Sequence, residues 1–467
     1  MVTTVGTPST PTTVPYGHPG LSTRIQAYAH NRLSTGEPGV LHAANPYRRA
    51  LAPAAVAEVD FERPLDATQM TGNRALSGHR ALGTFYEADT VLLPEQGLDS
   101  LRADFDLFYS EDLRRLREAS MSDLERYAFG FLDDEVDVSG TWTVAALDAF
   151  FQHVAGQTER GRAESLAAME QSTRPTVAAD LYLVQLALDG LTEASAMSRN
   201  LGGAYGPEQS ALFKIFIDEF GYGVFEAKHT TIFAKMLRSR SMATHVHAYW
   251  NFYLTGPLAT NNFYYYLSRD HAKFFRYAGA VTFAERVFAP AFVQMIRTYR
   301  GIFGDEVDLH YCDEHAHIDE HHGRITREQV LLALAERHGP SVIPDLARGI
   351  AQASWLGGWF ESDTAAQIRW SDAIGRYREL GAATAAGPGT ATAHELAPQS
   401  PFSTRNHDGA VVLRLTEGEA DLVTMPTGEP DRLARGDAVL VPAGRVYGLR
   451  AVSPRCGYEL VVPADEH

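Results

Sequence analysis

Between about residues 140 and 380 the chain reads as one long helical segment after another, and several carry acids or histidines on the faces meant for the core. Apolar residues recur at intervals of three and four in TWTVAALDAFFQHVAGQ, VAADLYLVQLALDGLTEASAM, EQSALFKIFIDEFGYGVFEAKHTTIFAKML, VTFAERVFAPAFVQMIRTYRGIF and REQVLLALAERHG. Gly, Pro and Asn separate them, with no exact repeat and no strand–helix alternation, so an all-α bundle follows. Over 208–238, Leu212, Ile215, Glu219, Gly223, Glu226, Phe233 and Leu237 fall within about 40° of one line at about 100° per residue, with His229 at the edge of that stripe. Glu193 shares its helical face with Leu186, Gly190 and Met197 in the same way. Downstream, His315, Asp319 and His322 stand at i, i+4 and i+7 and stack on one side of a helix.

Burying an ionised carboxylate alone costs several kcal/mol, so these glutamates need a cation or a partner. Ordinary buried ion pairs would require Lys or Arg on the same faces, and few are there. A mixed carboxylate and imidazole set suits two irons better than one zinc. A rival pattern lies in the same helix: His317-x2-Glu320-His321 matches the H-x-x-E-H signature of a class of zinc proteases. Its residues occupy the face opposite His315, Asp319 and His322, and it leaves Glu193, Glu219 and Glu226 unexplained. His310, His317 and His321 are therefore expected at the surface or behind the ligands, His245 and His247 in structural roles, and Phe263, Tyr264, Tyr265 and Tyr266 in core packing.

Composition narrows the function classes. With 467 residues the chain holds two or three domains, and 45% apolar content supports a large core. A net charge of −17 without a basic run argues against nucleic acid. Cys312 and Cys456 make no disulfide framework, which fits a reducing cytoplasm. No apolar run reaches the ~18 residues of a membrane span.

Residues 1–20 (MVTTVGTPSTPTTVPYGHPG) are Ser/Thr/Pro-rich and predict a disordered tail. Residues 21–137 predict a helical region suited to pairing two subunits as a homodimer. Within it SEDLRRLREASMSDLERYAFGFL (110–132) is helical with Ser110 as its cap. The bundle occupies 138–381. A small-residue stretch, 382–393, predicts a linker. Over 394–467 the segments AVVLRLTEG, EADLVTM, DAVLVPAG and YELVVPA are short, β-branched and broken by Gly and Pro, which predicts a small β-barrel.

The seven residues Glu193, Glu219, Glu226, His229, His315, Asp319 and His322 resemble the pattern of the haem-oxygenase-like di-iron oxidases and oxygenases, which use Glu, then Glu-x6-Glu-x2-His, then His-x3-Asp-x2-His on separate helices. The resemblance covers nearly the whole chain, since one member has the same plan of an N-terminal dimerisation region, a central di-iron domain and a C-terminal cupin. It implies a multidomain α and β protein: a haem-oxygenase-like helical bundle with a cupin-like β-barrel. It further implies two Fe(II) ions held by those seven residues, with Glu219 as the late-binding seventh, O2 as co-substrate and an external electron donor. The nitrogen-oxygenating members imply a small-molecule guanidine or amine substrate in natural-product biosynthesis, for example 2-aminoimidazole oxidised to 2-nitroimidazole. Carbon chemistry on the same scaffold (desaturation or C–C cleavage) and a non-catalytic iron-binding or regulatory protein are the alternatives.

Gly436-x5-Pro442-x-Gly444 resembles the second cupin motif and puts Tyr447 where a ligand histidine would stand. Aligning the first motif on Gly418 puts Arg405, His407 and Val411 at its ligand positions. One histidine holds iron poorly, so this barrel is expected to bind no metal.

Overall fold

The computed structural model describes residues 19–385 and 387–464. The tail expected over 1–20 thus lies outside the described residues except for its last two. No described helix is long and apolar enough to cross a membrane.

The N-terminal region supplies α1 (Asn73–Glu87) and α2 (Glu111–Phe129) among shorter helices. Ser110 caps α2, its hydroxyl accepting from the Leu113 amide. The next helices of interest are α3 (Pro175–Gly190), α4 (Pro207–Glu219), α5 (His229–Ser239) and α6 (Thr255–Arg269). Two 30-residue helices, α7 (Phe274–Phe303) and α9 (Ile343–Asp372), flank α8 (His310–Ile325), and α10 (Ile374–Thr384) ends the helical part. α7 packs along both α8 and α9. The α7–α9 approach is close because two glycines face it: a Cβ at Gly279 would lie 2.0 Å from the Leu346 carbonyl oxygen, and one at Gly349 2.0 Å from that of Arg276. A single hydrophobic core runs from the N-terminal helices through this bundle.

The segment expected as one helix over 208–238 is broken. α4 stops at Glu219 and α5 starts at His229, with two short turns between. Gly221 has φ +59°, where a Cβ would lie 2.5 Å from the Ala227 carbonyl carbon, and Tyr222 follows at φ +53°. That left-handed pair reverses the chain, which periodicity alone does not reveal. The segment around Glu193 breaks similarly: α3 stops at Gly190, and Ala194 at φ +60° precedes a single turn, Ser195–Ser198.

The C-terminal domain holds β1 (Gly389–Leu396), β2 (Thr404–Arg405), β3 (Val411–Glu417), β4 (Glu419–Val423), β5 (Asp431–Ala434), β6 (Ala438–Val441), β7 (Tyr447–Ala451) and β8 (Cys456–Pro463). They form two antiparallel four-stranded sheets, β1-β8-β3-β6 and β2-β7-β4-β5. This pair of sheets is the expected cupin-like β domain, with the two sheets not joined into a closed barrel. The linker expected over 382–393 shrinks at both ends: α10 reaches Thr384, and Gly389 to Ala393 pair with Pro463 to Glu459. The Thr-Ala-Thr-Ala alternation there fits a strand, not a tether.

The two parts are locked together. The buried Arg445 guanidinium donates to the Asp363 carboxylate at 2.7 Å and to its carbonyl at 2.9 Å. Gln367 exchanges two hydrogen bonds with the Val446 backbone, and Arg80 donates to the Thr404 carbonyl at 2.9 Å.

Candidate metal centre

Each candidate ligand is placed by a local rule. His315, Asp319 and His322 project from one side of α8 and are all buried. Glu219 is the last residue of α4 and His229 the first of α5, so the chain reversal between them aims both inward. Glu193 reaches in from the turn after α3. The ligand atoms of Glu193, Glu219, His229 and His315 lie within 4.8 Å of one another, and so do those of Glu219, Asp319 and His322. Glu219 belongs to both groups. The arrangement is two adjoining pockets with one shared carboxylate.

Hydrogen bonds fix the imidazoles. His315 Nδ1 donates to the Tyr311 carbonyl at 2.9 Å, which turns Nε2 toward Glu193 Oε1 at 3.0 Å; the Tyr311 hydroxyl donates to that same oxygen at 3.0 Å. His322 Nε2 donates to Asp218 Oδ2 at 3.0 Å, which turns Nδ1 toward Glu285 (3.3 Å), Asp319 (3.5 Å) and Glu219 (3.6 Å). His229 Nδ1 lies 2.5 Å from Glu219 Oε2. A partner on the far nitrogen is how a protein orients a metal-ligating histidine.

Charge in the site is unbalanced. Among the described residues the only ion-pair partners of Glu193, Glu219, Asp319 and Glu285 are histidines. Burial alone would hold His315 and His322 neutral, but the surrounding carboxylates outweigh it and push them up to about 10 and about 11. Glu193, Asp319 and Glu219 act on His315; Asp319, Glu285 and Glu219 act on His322. Burial pushes Asp319 up to about 7. Burial also raises Glu219, even against the pull of His229.

Glu193 Oε2, Asp319 Oδ2 and His322 Nδ1 are buried without a hydrogen-bond partner. Each orphan costs free energy that a cation would offset. All-oxygen-and-nitrogen donors, rich in carboxylate, fit iron in either common oxidation state. Cys312 takes no part, its sulfur lying against Met236 and Met295 at 3.9 Å. The residues present therefore fit a pair of metal ions.

A family model described as an iron-containing redox enzyme matches residues 180–358, the stretch that carries every one of these side chains. The chain is also 37% identical over 460 residues to a nitrosourea synthase of Streptomyces achromogenes subsp. streptozoticus, covering 96% of this chain and 97% of the relative. The chain belongs to this family of haem-oxygenase-like, iron-containing redox enzymes.

In this redox enzyme the structure brings together six of the seven residues singled out from the sequence. Glu226 is the exception. It is exposed, in the short turn Phe225–Ala227, and stands outside both groups, whereas Glu219, expected to bind last, belongs to both. The cause is the break at Gly221–Gly223, which destroys the seven-residue register that had put both acids on one stripe. His317, Glu320 and His321 are exposed on the outer face of α8.

Sequence reasoning missed three contributors: Asp218, Glu285 and Tyr311. Glu285 carried the readable signal, as the lone acid within the apolar run of α7. Asp218 and Tyr311 could not be read, because their roles follow from which nitrogen of a histidine faces them.

The enzyme's β domain treats its own candidate positions differently. The Tyr447 hydroxyl donates to His407 Nε2 at 2.9 Å, and Arg405 donates to Glu58 at 3.1 Å. Val411 is buried in the core of the sheets. Burial and Arg405 push His407 down to about 3, so it is a neutral acceptor.

Proposed function

We propose that this enzyme is a di-iron, O2-dependent N-oxygenase acting on a guanidine or amine nitrogen, by N-hydroxylation or further oxidation to a nitro group. The sharing of Glu219 between two ligand groups carries the reading, because it asks for two ions side by side. The relative's name supports nitrogen chemistry: a nitrosourea bears an oxidised nitrogen. Two ferrous ions held by Glu193, Glu219, His229, His315, Asp319 and His322, supplied with electrons by an external donor, would provide O2 reduction.

The protein's own tasks are positional. Tyr311 and Asp218 hold the two ligand imidazoles in orientation. The surplus of carboxylate oxygens favours a cationic guanidinium or ammonium near the site. In the β domain, one histidine stands at four ligand positions and is already hydrogen-bonded. We infer that this chain stops at an N-oxygenated product and does not carry out a further metal-dependent step there. Residues 21–137 are proposed to pair two copies as a homodimer.

The test is product analysis by mass spectrometry after supplying ferrous iron, a reductant, isotopically labelled O2, and either 2-aminoimidazole or arginine-derived guanidines. A labelled hydroxylamine or nitro product is expected. An alkene or a cleaved carbon chain from other substrates would replace the reading with carbon oxidation, and absence of any turnover would remove catalysis from it.

A further inference from the structure

We propose that the space between the two sheets of the β domain binds a small carboxylate at Arg405, and that the Glu58 side chain occupies that place until such a ligand displaces it. The site shares no residue with the two ligand groups of the bundle, so it stands whether or not the di-iron reading holds.

Register puts the arginine inside. Arg405 on β2 lies directly opposite Tyr447 on β7, and His394 on β1 directly opposite Tyr458 on β8. Residues directly opposite across an antiparallel pair share one face of the sheet. Tyr447 belongs to the core between the sheets and Tyr458 packs against it. All four side chains therefore face inward, two from each sheet. His407 joins them through the Tyr447 hydroxyl at 2.9 Å. Tyr447 is buried, while Arg405, His394, His407 and Tyr458 keep partial exposure, so these four form the rim of that space.

The chemistry of the rim selects a carboxylate. A planar guanidinium binds a carboxylate through two parallel N–H donors. Arg405 makes only part of that contact: Nη2 donates to both oxygens of Glu58 at 3.1 Å, while Nε is buried without a partner. An orphaned buried donor costs free energy that an acceptor would recover. Glu58 comes from outside the β domain, directly after the short helix Pro53–Ala57, and its side chain is 52% exposed. An ion pair this open to solvent is weak, and its acid is readily exchanged. The His394 ring, stacked on Tyr458 at 4.9 Å, makes no side-chain hydrogen bond among the described residues and offers a second N–H donor. A position that would carry a metal-binding histidine in a cupin thus attracts an anion instead of a cation.

Ligand-observed NMR of acetate with the full-length protein tests this, with chloride as competitor and the protein kept metal-free so that no iron holds the probe. The wild type is expected to bind acetate saturably, and chloride at equal concentration to leave that binding in place. Glu58→Gln removes the resident carboxylate and is expected to tighten binding about two- to five-fold. Arg405→Gln is expected to weaken binding by more than about tenfold, while its melting temperature and its iron stoichiometry after loading stay those of the wild type. Arg405→Lys keeps the charge without the planar fork, is expected to bind more weakly than the wild type, and serves if the glutamine variant does not fold. Acetate binding that is absent from both the wild type and Glu58→Gln, that survives Arg405→Gln unchanged, or that chloride displaces equally well would overturn the site. Binding that Glu58→Gln leaves unchanged or weakens would overturn the part assigned to Glu58.

Discussion

The helical bundle and the β domain each present histidine near positions where a metal is expected, and they differ in what their polar atoms lack. In the bundle, buried oxygens and nitrogens of Glu193, Asp319 and His322 have no hydrogen-bond partner, and among the described residues no Lys or Arg pairs with the acids. In the β domain, His407 has Tyr447, Arg405 has Glu58, and the fourth position is an apolar Val411. The contrast shows that unsatisfied buried charge, more than the number of histidines, marks a metal site. In the first region only histidines face the buried acids, while in the second the one candidate histidine is paired within the protein.

The strongest way to break this contrast is Glu219→Ala. Glu219 serves both groups, so the variant is expected to lose at least one iron and to drop turnover by more than about 100-fold. Iron should raise its melting temperature by less than it does for the wild type. For the wild type, free iron at about 100 times Kd adds about 2.7 kcal/mol of stability, readable by calorimetry. Unchanged iron binding in this variant would refute the shared pocket.

Asp218→Ala tests a smaller effect. With His322 no longer oriented, iron affinity is expected to fall by about 10–100-fold while stoichiometry stays at two. Competition with a chelator measures it.

The metal-free protein should also show the charge imbalance through pH. Asp319, at about 7, sits above its ordinary value, so the stability it contributes is full below about pH 4 and is lost as pH rises through 7. His315 and His322, at about 10 and 11, contribute stability below about pH 6.5 that is lost as pH rises through those values. Both act in one direction: the melting temperature of metal-free protein should fall from about pH 5 to pH 9, and iron loading should flatten the slope and release protons. A metal-free protein that gains stability over this range would contradict the assignment.

The smallest effect belongs to the β domain. Tyr447→Phe removes one hydrogen bond to His407 and should cost about 1 kcal/mol in thermal unfolding, with iron stoichiometry and turnover unchanged. A fall in bound iron would mean that this domain holds metal after all.

Much of the site was legible because it is local. His315, Asp319 and His322 lie within three turns of one helix, and helical periodicity puts them on one face without reference to the rest of the chain. The same rule set His317, Glu320 and His321 on the opposite face, where they are exposed. The rule failed at Glu226, because periodicity assumes an unbroken helix and the reversal at Gly221 and Tyr222 interrupts it. In the C-terminal region the apolar β-branched runs marked β3, β4, β6 and β8. The small-residue β1 was obscured, since Thr-Ala alternation reads as a strand only once β8 is there to pair with it.

What the sequence determined by itself was the chemistry: acids and imidazoles on core-facing positions, whose burial is too costly without a cation. Only the tertiary structure decided which carboxylates meet. Glu219 and Glu285 turn toward His322, Asp218 holds its far nitrogen and Glu226 stays outside, because these outcomes depend on a backbone reversal and on the contact of α7 with α8, and neither leaves a periodic trace in the chain.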